Sequence, residues 1–332
     1  MSWPSFRLFP ACRRARQTPA PDGGTACPSK ECQMVFYTIR PAPEPPASKR
    51  WLARRFPHRH GLITDLRERI RRTPDPITAY APEPKHFGLA VERTIALDLC
   101  DRPPYPELFA SLPEPARRTL LATAGYQPVP GPEPLWLRTG GNVAAARLFT
   151  VGSLLTDLAH IAARAYGVIA PADTQRRLRA PLRHRETFIN CATRIRDARP
   201  TFTPFWASYR TGFRTALLSY GPVTAAPTLL DGLRVADLIA GTTIVELKTG
   251  HLTDAHQFHD LIDQILTYTL LAPLSGYPLT AAVVYLARYH VLARYPVDTL
   301  TTELASEPID TTTDGRHLAM LIQTEQLRWA AA

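Results

Sequence analysis

Apolar residues recur at helical spacing through the first two-thirds of the chain and at strand spacing in the last third. The segments Phe87–Leu99, Pro106–Ala124, Val143–Tyr166 and Thr187–Asp197 place apolar side chains about one helical turn apart, which predicts helices. Proline clusters at 103–106 and 128–134 separate them. A shorter helical pattern covers Leu62–Ile70. From about Leu229 the texture changes. Leu233–Ala240 and Thr243–Lys248 are short, β-branched and apolar, and they meet across Gly241. A long helical pattern follows over Thr253–Leu271, then strand candidates at Thr280–Leu286 and Val291–Tyr295. Strand, strand, helix, strand, strand after a helical region predicts a mixed α/β domain, its central sheet flanked by helices.

Residues 1–48 are rich in Pro, Arg and Gly and show no sustained period, which predicts an irregular or disordered extension. Met34 opens a short apolar run and is an alternative start of translation, which would put residues 1–33 outside the native protein. The expected organisation is therefore this extension, a mostly helical basic region over 49–228, and a core over 229–332 to which that region belongs. There is no internal repeat.

Composition changes the picture in one respect. The 332 residues are 45% hydrophobic and 20% charged, ordinary for a globular chain, but the formal net charge is +10 and the pI about 9.6. That balance favours a polyanionic partner, nucleic acid first; an arginine-rich proteome would give the same number. Much of the charge lies in Lys49–Arg72 and in Arg176, Arg177, Arg179, Arg183 and Arg185, which are candidate phosphate contacts or a solvated basic face. The five cysteines are odd in number and thinly spread, and the Cys27/Cys32 pair has no partner pair at zinc spacing. They read as free thiols in a reducing compartment. No run approaches the roughly 18 apolar residues of a membrane helix, and the N-terminus lacks the apolar stretch of a secretory signal. A cytoplasmic protein without a membrane partner is the expectation.

The candidate chemistry lies in the hairpin. Side chains alternate along a strand, so Glu246 and Lys248 share one face while Val245 and Leu247 share the other. A two-residue turn at Gly241-Thr242, glycine first, is of type II′ and sets Asp237 opposite Glu246. Two carboxylates facing each other at about 5 Å repel. A divalent cation between them reverses the sign, and hard oxygen ligands suit Mg²⁺ or Mn²⁺. Lys248 would point at the same place, to orient or deprotonate a water or to neutralise phosphate charge. The bland alternative is a polar surface hairpin with a solvated Glu–Lys pair.

These residues, Ala236-Asp237-Leu238-Ile239 with Ile244-Val245-Glu246-Leu247-Lys248-Thr249-Gly250, resemble the D…E-x-K core of the PD-(D/E)XK nuclease superfamily. Gln264-Ile265-Leu266-Thr267-Tyr268 matches the Q-x-x-x-Y motif of its RecB-like branch. The resemblance covers about 229–300 well and about 85–225 loosely. It implies a restriction-endonuclease-like core and a Mg²⁺- or Mn²⁺-dependent nuclease, preferably acting on DNA. Asp237, Glu246 and Lys248 would be catalytic, and the Leu247 carbonyl a further metal ligand. Gln264 and Tyr268 would contact DNA or steady the site, and Arg288 would touch phosphate or cap its strand end. An early-helix ligand is expected too. Glu92, in Gly88-x-x-x-Glu92, is favoured over Asp157 or His160. No Cys follows Cys191, so the iron–sulfur cluster of some RecB-like nucleases is expected to be absent. The alternative from another class is a catalytically silent nucleic-acid-binding or assembly protein that keeps this fold; a basic scaffold with a chance motif is the third. Deleting residues 1–33 is expected to leave the melting temperature nearly unchanged, and a large drop on thermal denaturation would assign that segment to the core.

Overall fold

The computed structural model describes residues 44–78, 83–131, 135–140, 142–166 and 185–331. The N-terminal unit, 1–45, lies almost wholly outside the described residues, as do Arg176, Arg177, Arg179 and Arg183 and the side chain of Arg185. The second unit spans 46–332. Its elements run α1 (Ala47–Arg55), α2 (His60–Arg71), α3 (Pro84–Leu99), α4 (Pro106–Ala110), α5 (Glu114–Thr123), β1 (Tyr126–Val129), β2 (Leu135–Arg138) and α6 (Ala145–Tyr166). Next come α7 (Arg185–Ser208), a π turn at Tyr209–Phe213, α8 (Arg214–Tyr220), β3 (Val223–Ala225), β4 (Thr228–Leu229), β5 (Arg234–Val235) and β6 (Leu238–Ala240). The chain ends with β7 (Thr243–Lys248), α9 (Ala255–Leu271), β8 (Ala281–Leu286), β9 (Val291–Pro296), α10 (Val297–Thr302) and α11 (Thr311–Ala331).

The central sheet has the order β3-β6-β7-β8-β9 and is antiparallel except between β7 and β8, which are joined by the α9 crossover. All of β8 and most of β7 are buried, so both sheet faces are covered. One face carries Ile239, Ile244, Val284 and Leu286 against α1, α2, α9 and α11. The other carries Leu238, Val245, Leu247 and Tyr285 against α3, α6 and α7. A third cluster packs α4, α5 and β1 onto α3 and α6, with Tyr126 fully buried and bonded to the Leu97 and Cys100 carbonyls at 3.1 Å each. This is the mixed α/β sheet with flanking helices that the sequence predicts.

Several boundaries differ from expectation, each for a local reason. The strand over Leu233–Ala240 is two short strands, β5 and β6, because β5 pairs with β4 while β6 pairs with β3 and β7, leaving Ala236 and Asp237 at the crossing. The helix over Pro106–Ala124 breaks at Leu112-Pro113, where Pro113 becomes the N-cap of α5. Conversely α7, read only over Thr187–Asp197, runs on through Pro200 and Pro204 because Phe202 and Phe205 are buried against the sheet. Each proline removes an intrahelical hydrogen bond, and the helix then widens into the π turn. Helix α9 starts at a capping box of Asp254 and Gln257, two residues later than predicted.

The hairpin has the predicted register. Leu238 faces Val245, Ile239 faces Ile244 and Ala240 faces Thr243, so Asp237 stands one step beyond, opposite Glu246. Gly241 has φ +55°, and a Cβ there would lie 2.1 Å from the Tyr220 carbonyl oxygen. Gly241→Ala is therefore expected to destabilise the protein by on the order of 3 kcal/mol, from the left-handed backbone and the clash together. Equilibrium denaturation measures it, and a loss near zero would mean that the turn does not fix the hairpin.

Candidate active site

Asp237 leaves the strand ladder at the β5–β6 crossing, and its Oδ2 accepts the backbone N–H of Leu247 at 2.7 Å. That bond holds the carboxylate against β7, where its charge acts on the Glu246 carboxyl. Glu246 is 2% exposed. Its Oε1 accepts from Lys248 Nζ, while its Oε2 is buried and, among the described residues, meets no donor. Lys248 Nζ also donates to Gln264 Oε1 at 3.0 Å. Gln264 Nε2 donates to the Tyr268 hydroxyl at 2.8 Å, and that hydroxyl donates to the Val235 carbonyl at 3.0 Å. One chain of hydrogen bonds thus runs from Glu246 through Lys248 and α9 to the strand two residues before Asp237.

Glu92 stands on α3 within the field of the same two carboxylates. Gly88, one helical turn earlier on the same face, lies so close to the end of β7 that a Cβ would come within 2.7 Å of Thr249 Oγ1. Burial pushes the Glu92 carboxyl up to about 8; the Asp237 charge adds to the rise and Arg93 opposes it. Burial likewise lifts Glu246 to about 8, with Asp237 adding and Lys248 opposing. Asp237 is raised by burial and relieved by Lys248 and the Leu247 N–H. Burial alone would lower Lys248, but the Glu246 and Asp237 carboxylates overcome it and hold its pKa above the usual value. The ammonium therefore stays charged.

The other expected site residues separate from this group or change role. Arg288 is 5% exposed; its Nε donates to the Thr249 carbonyl at 3.2 Å, Nη1 donates to the Ile77 carbonyl, and the guanidinium lies 5.3 Å from the Phe205 ring centroid. Of its two expected roles, strand-end capping is the one this placement gives. Tyr268 is 4% exposed and internally bonded, so it steadies the site rather than presenting a surface to DNA. Leu247 turns its side chain into the opposite core. Asp157 bonds His86 Nε2 at 3.0 Å and Arg194 Nη2 at 2.6 Å, with the His160 ring 5.7 Å from that of His86. In the basic segment Lys49, Arg55, Arg59, Arg69, Arg71 and Arg72 are each paired with an acidic side chain. Sequence reasoning did not single out Tyr105, whose hydroxyl is buried and lies in the field of Glu92 and Asp237. A tyrosine between two prolines carries no motif.

Among the described residues, no group of three His, Cys, Asp or Glu side chains is drawn together as a ready metal-ligand set. The residues present nonetheless suit a hard divalent cation: two carboxylates in reach of each other, a buried oxygen of Glu246 with no donor, and a third carboxylate nearby. All three carboxyl pKa values are raised, with burial the largest cause in each. No family model, curated protein or solved structure matches the chain.

Because burial raises the folded-state pKa of Glu246 above its unfolded value, the neutral form is the stabilising one. Its contribution is full below about 4.5 and is lost as pH climbs through about 8. In EDTA the melting temperature of wild type relative to Glu246→Gln is expected to fall over that window, leaving the variant the more stable protein at pH 8. Parallel melting curves across the window would rule out a strained carboxylate at 246.

Proposed function

We propose that the protein is a metal-dependent nuclease that hydrolyses phosphodiester bonds, DNA preferred, on a PD-(D/E)XK core of the RecB-like kind. The observation that carries this reading is the carboxylate pair Asp237/Glu246, one member almost fully buried and with an oxygen that no donor meets, beside a fixed ammonium. A peptide-binding or scaffolding surface has no use for such a pair, since like charges across a hairpin destabilise it.

Asp237 and Glu246 would hold a Mg²⁺ or Mn²⁺ ion, with Glu92 and the Leu247 carbonyl as further oxygens. When bound, that ion supplies Lewis-acid charge to the phosphate and lowers the pKa of a water. The protein's own groups do the rest. The carboxylates beside Lys248 hold it protonated, so before a cation binds it stands as a donor and fixed positive charge toward a water or a phosphate oxygen. Gln264 turns its carbonyl oxygen to Lys248 and its amide to Tyr268, and Tyr268 in turn is tied to Val235. The pair therefore sets where the ammonium stands, which matters because misplacing a charged group by about 1 Å costs around a hundredfold in rate.

Lys248→Ala and Asp237→Ala are expected to fold and to keep most of their DNA affinity, which is spread over many cationic side chains. Cleavage of linear, circular and single-stranded DNA with Mg²⁺ or Mn²⁺ should fall at least about 10²-fold in both. Equal cutting by wild type and both variants would remove the activity from this site. Tight binding without any cutting by wild type would favour a silent nucleic-acid-binding protein.

A further inference from the structure

Arg93 follows Glu92 on α3 and turns toward α6, where its Nη1 donates to Thr156 Oγ1 at 2.7 Å. Its guanidinium carbon sits 5.5 Å from the centroid of the Tyr105 ring. Arg93 Nε and the Tyr105 hydroxyl are both buried, and neither has a hydrogen-bond partner among the described residues. Buried donors left unmet are costly, and here two belong to side chains in contact with each other. Tyr105 is also held in an uncommon backbone conformation, φ 59° and ψ 52°, between Pro104 and Pro106, the first residue of α4. The ring is partly buried against the two helical clusters on the α3 side of the sheet. The hydroxyl is thus set in place by packing and backbone, and not by a bond of its own.

We propose that Arg93 and Tyr105 form a donor pair that receives a backbone phosphate of the nucleic acid on the α3 flank of the carboxylate group. The proposal rests on the nuclease reading for the ligand's identity. Its chemistry follows from charge. A phosphate brought beside Asp237, Glu246 and Glu92 meets repulsion, and an arginine adjacent to Glu92 offsets it. The guanidinium supplies charge and a directed N–H, and the phenol supplies a second donor; phosphate oxygens accept both. Burial, reinforced by the Glu92 charge, raises the Tyr105 pKa well above its ordinary value, so the phenol keeps its proton and remains a donor. Both donors are covered in the free protein, so receiving a phosphate requires the two side chains to turn outward.

The test uses the full chain, Tyr105→Phe, Arg93→Lys and a fluorescein-labelled single-stranded DNA oligonucleotide, with affinity read by anisotropy in EDTA. Tyr105→Phe retains the ring and removes only the hydroxyl, and Arg93→Lys retains the charge and removes Nε. Tyr105→Phe is expected to melt at or above the wild-type temperature, since its hydroxyl has no bond in the free protein among the described residues; Arg93→Lys, which also gives up the Nη1 bond to Thr156, is expected to melt somewhat lower. Each is expected to bind about tenfold more weakly, the loss of one charge-assisted hydrogen bond, with the salt dependence of Tyr105→Phe unchanged because no charge is removed. Wild-type affinity in both variants overturns the donor pair, even if wild type cuts DNA. Failure of wild type to bind the oligonucleotide overturns it as well. Weakened binding by both variants, in a protein that cuts nothing with Mg²⁺ or Mn²⁺, sustains the donor pair and overturns the hydrolytic reading instead.

Discussion

Taking a carboxylate out of water costs several kcal/mol unless a proton, an ammonium or a cation meets it, and Glu246 lies under that constraint with a second carboxylate beside it. The surroundings answer it in layers. Lys248 meets one oxygen, and Gln264 holds Lys248. Tyr268 holds Gln264 and is itself anchored to the Val235 carbonyl. Asp237 is fixed by a backbone N–H of the strand that carries Glu246. Each bond is modest by itself, but in a site of low dielectric the network stands or falls together. What remains after all of them is one oxygen of Glu246 without a donor among the described residues.

Such a site needs a rigid frame, and both faces of the sheet provide it. The apolar residues alternating with Glu246 and Lys248, namely Val245 and Leu247, are locked into the α3–α7 core, and Ile244 into the α9–α11 core. A strand clamped on both sides cannot slip by one residue without carrying charged groups into a core. The parallel step from β7 to β8 places the ends of both strands together, Lys248 beside Leu286. Arg288 ties that end down by bonding the carbonyl of Thr249 and that of Ile77, on the segment following α2. An arginine in this position is a fastening of the frame.

The hairpin and its carboxylate pair were legible because the relevant rules are local. Gly241 dictates the turn, the turn dictates the register, and period two dictates the shared face. The partition of roles in α9 was not legible. Helical spacing puts Gln264 and Tyr268 on one flank, but only the packing of α9 onto the sheet makes Gln264 meet Lys248 and sends the Tyr268 hydroxyl to Val235. Helix α11 went unread, although Leu318 and Ile322 are buried in the core, because its pattern is diluted by polar residues such as Thr313, Gln323 and Glu325. Helix α7 was read only to Asp197, and the buried Phe202 and Phe205 that carry it on through Pro200 and Pro204 act through tertiary contact. Glu92 was read from a glycine spacing. The physical content of that spacing, an approach to Thr249 too close for any Cβ, became visible only with both elements in place.

Charge shows the same division between what a sequence counts and what a fold leaves available. A net charge of +10 points to a polyanion, and the arginines of the segment 49–72 are its densest described source. In the folded chain many of them close ion pairs: Arg55 with Asp314 and Glu307, Arg59 with Asp263, Arg69 with Asp65, and Arg71 and Arg72 with Glu68. The exposed pairs contribute little to stability, but each places a carboxylate beside its guanidinium and so weakens the field a phosphate would feel. Arg59, 6% exposed at its side chain, is a structural brace between α2 and α9. The positive potential of this segment is therefore smaller than its arginine count, and the nucleic-acid affinity that the proposed reading requires has to be drawn from elsewhere on the molecule. Beside the carboxylates, where a phosphate meets the greatest repulsion, each available donor has the most effect on where the backbone settles.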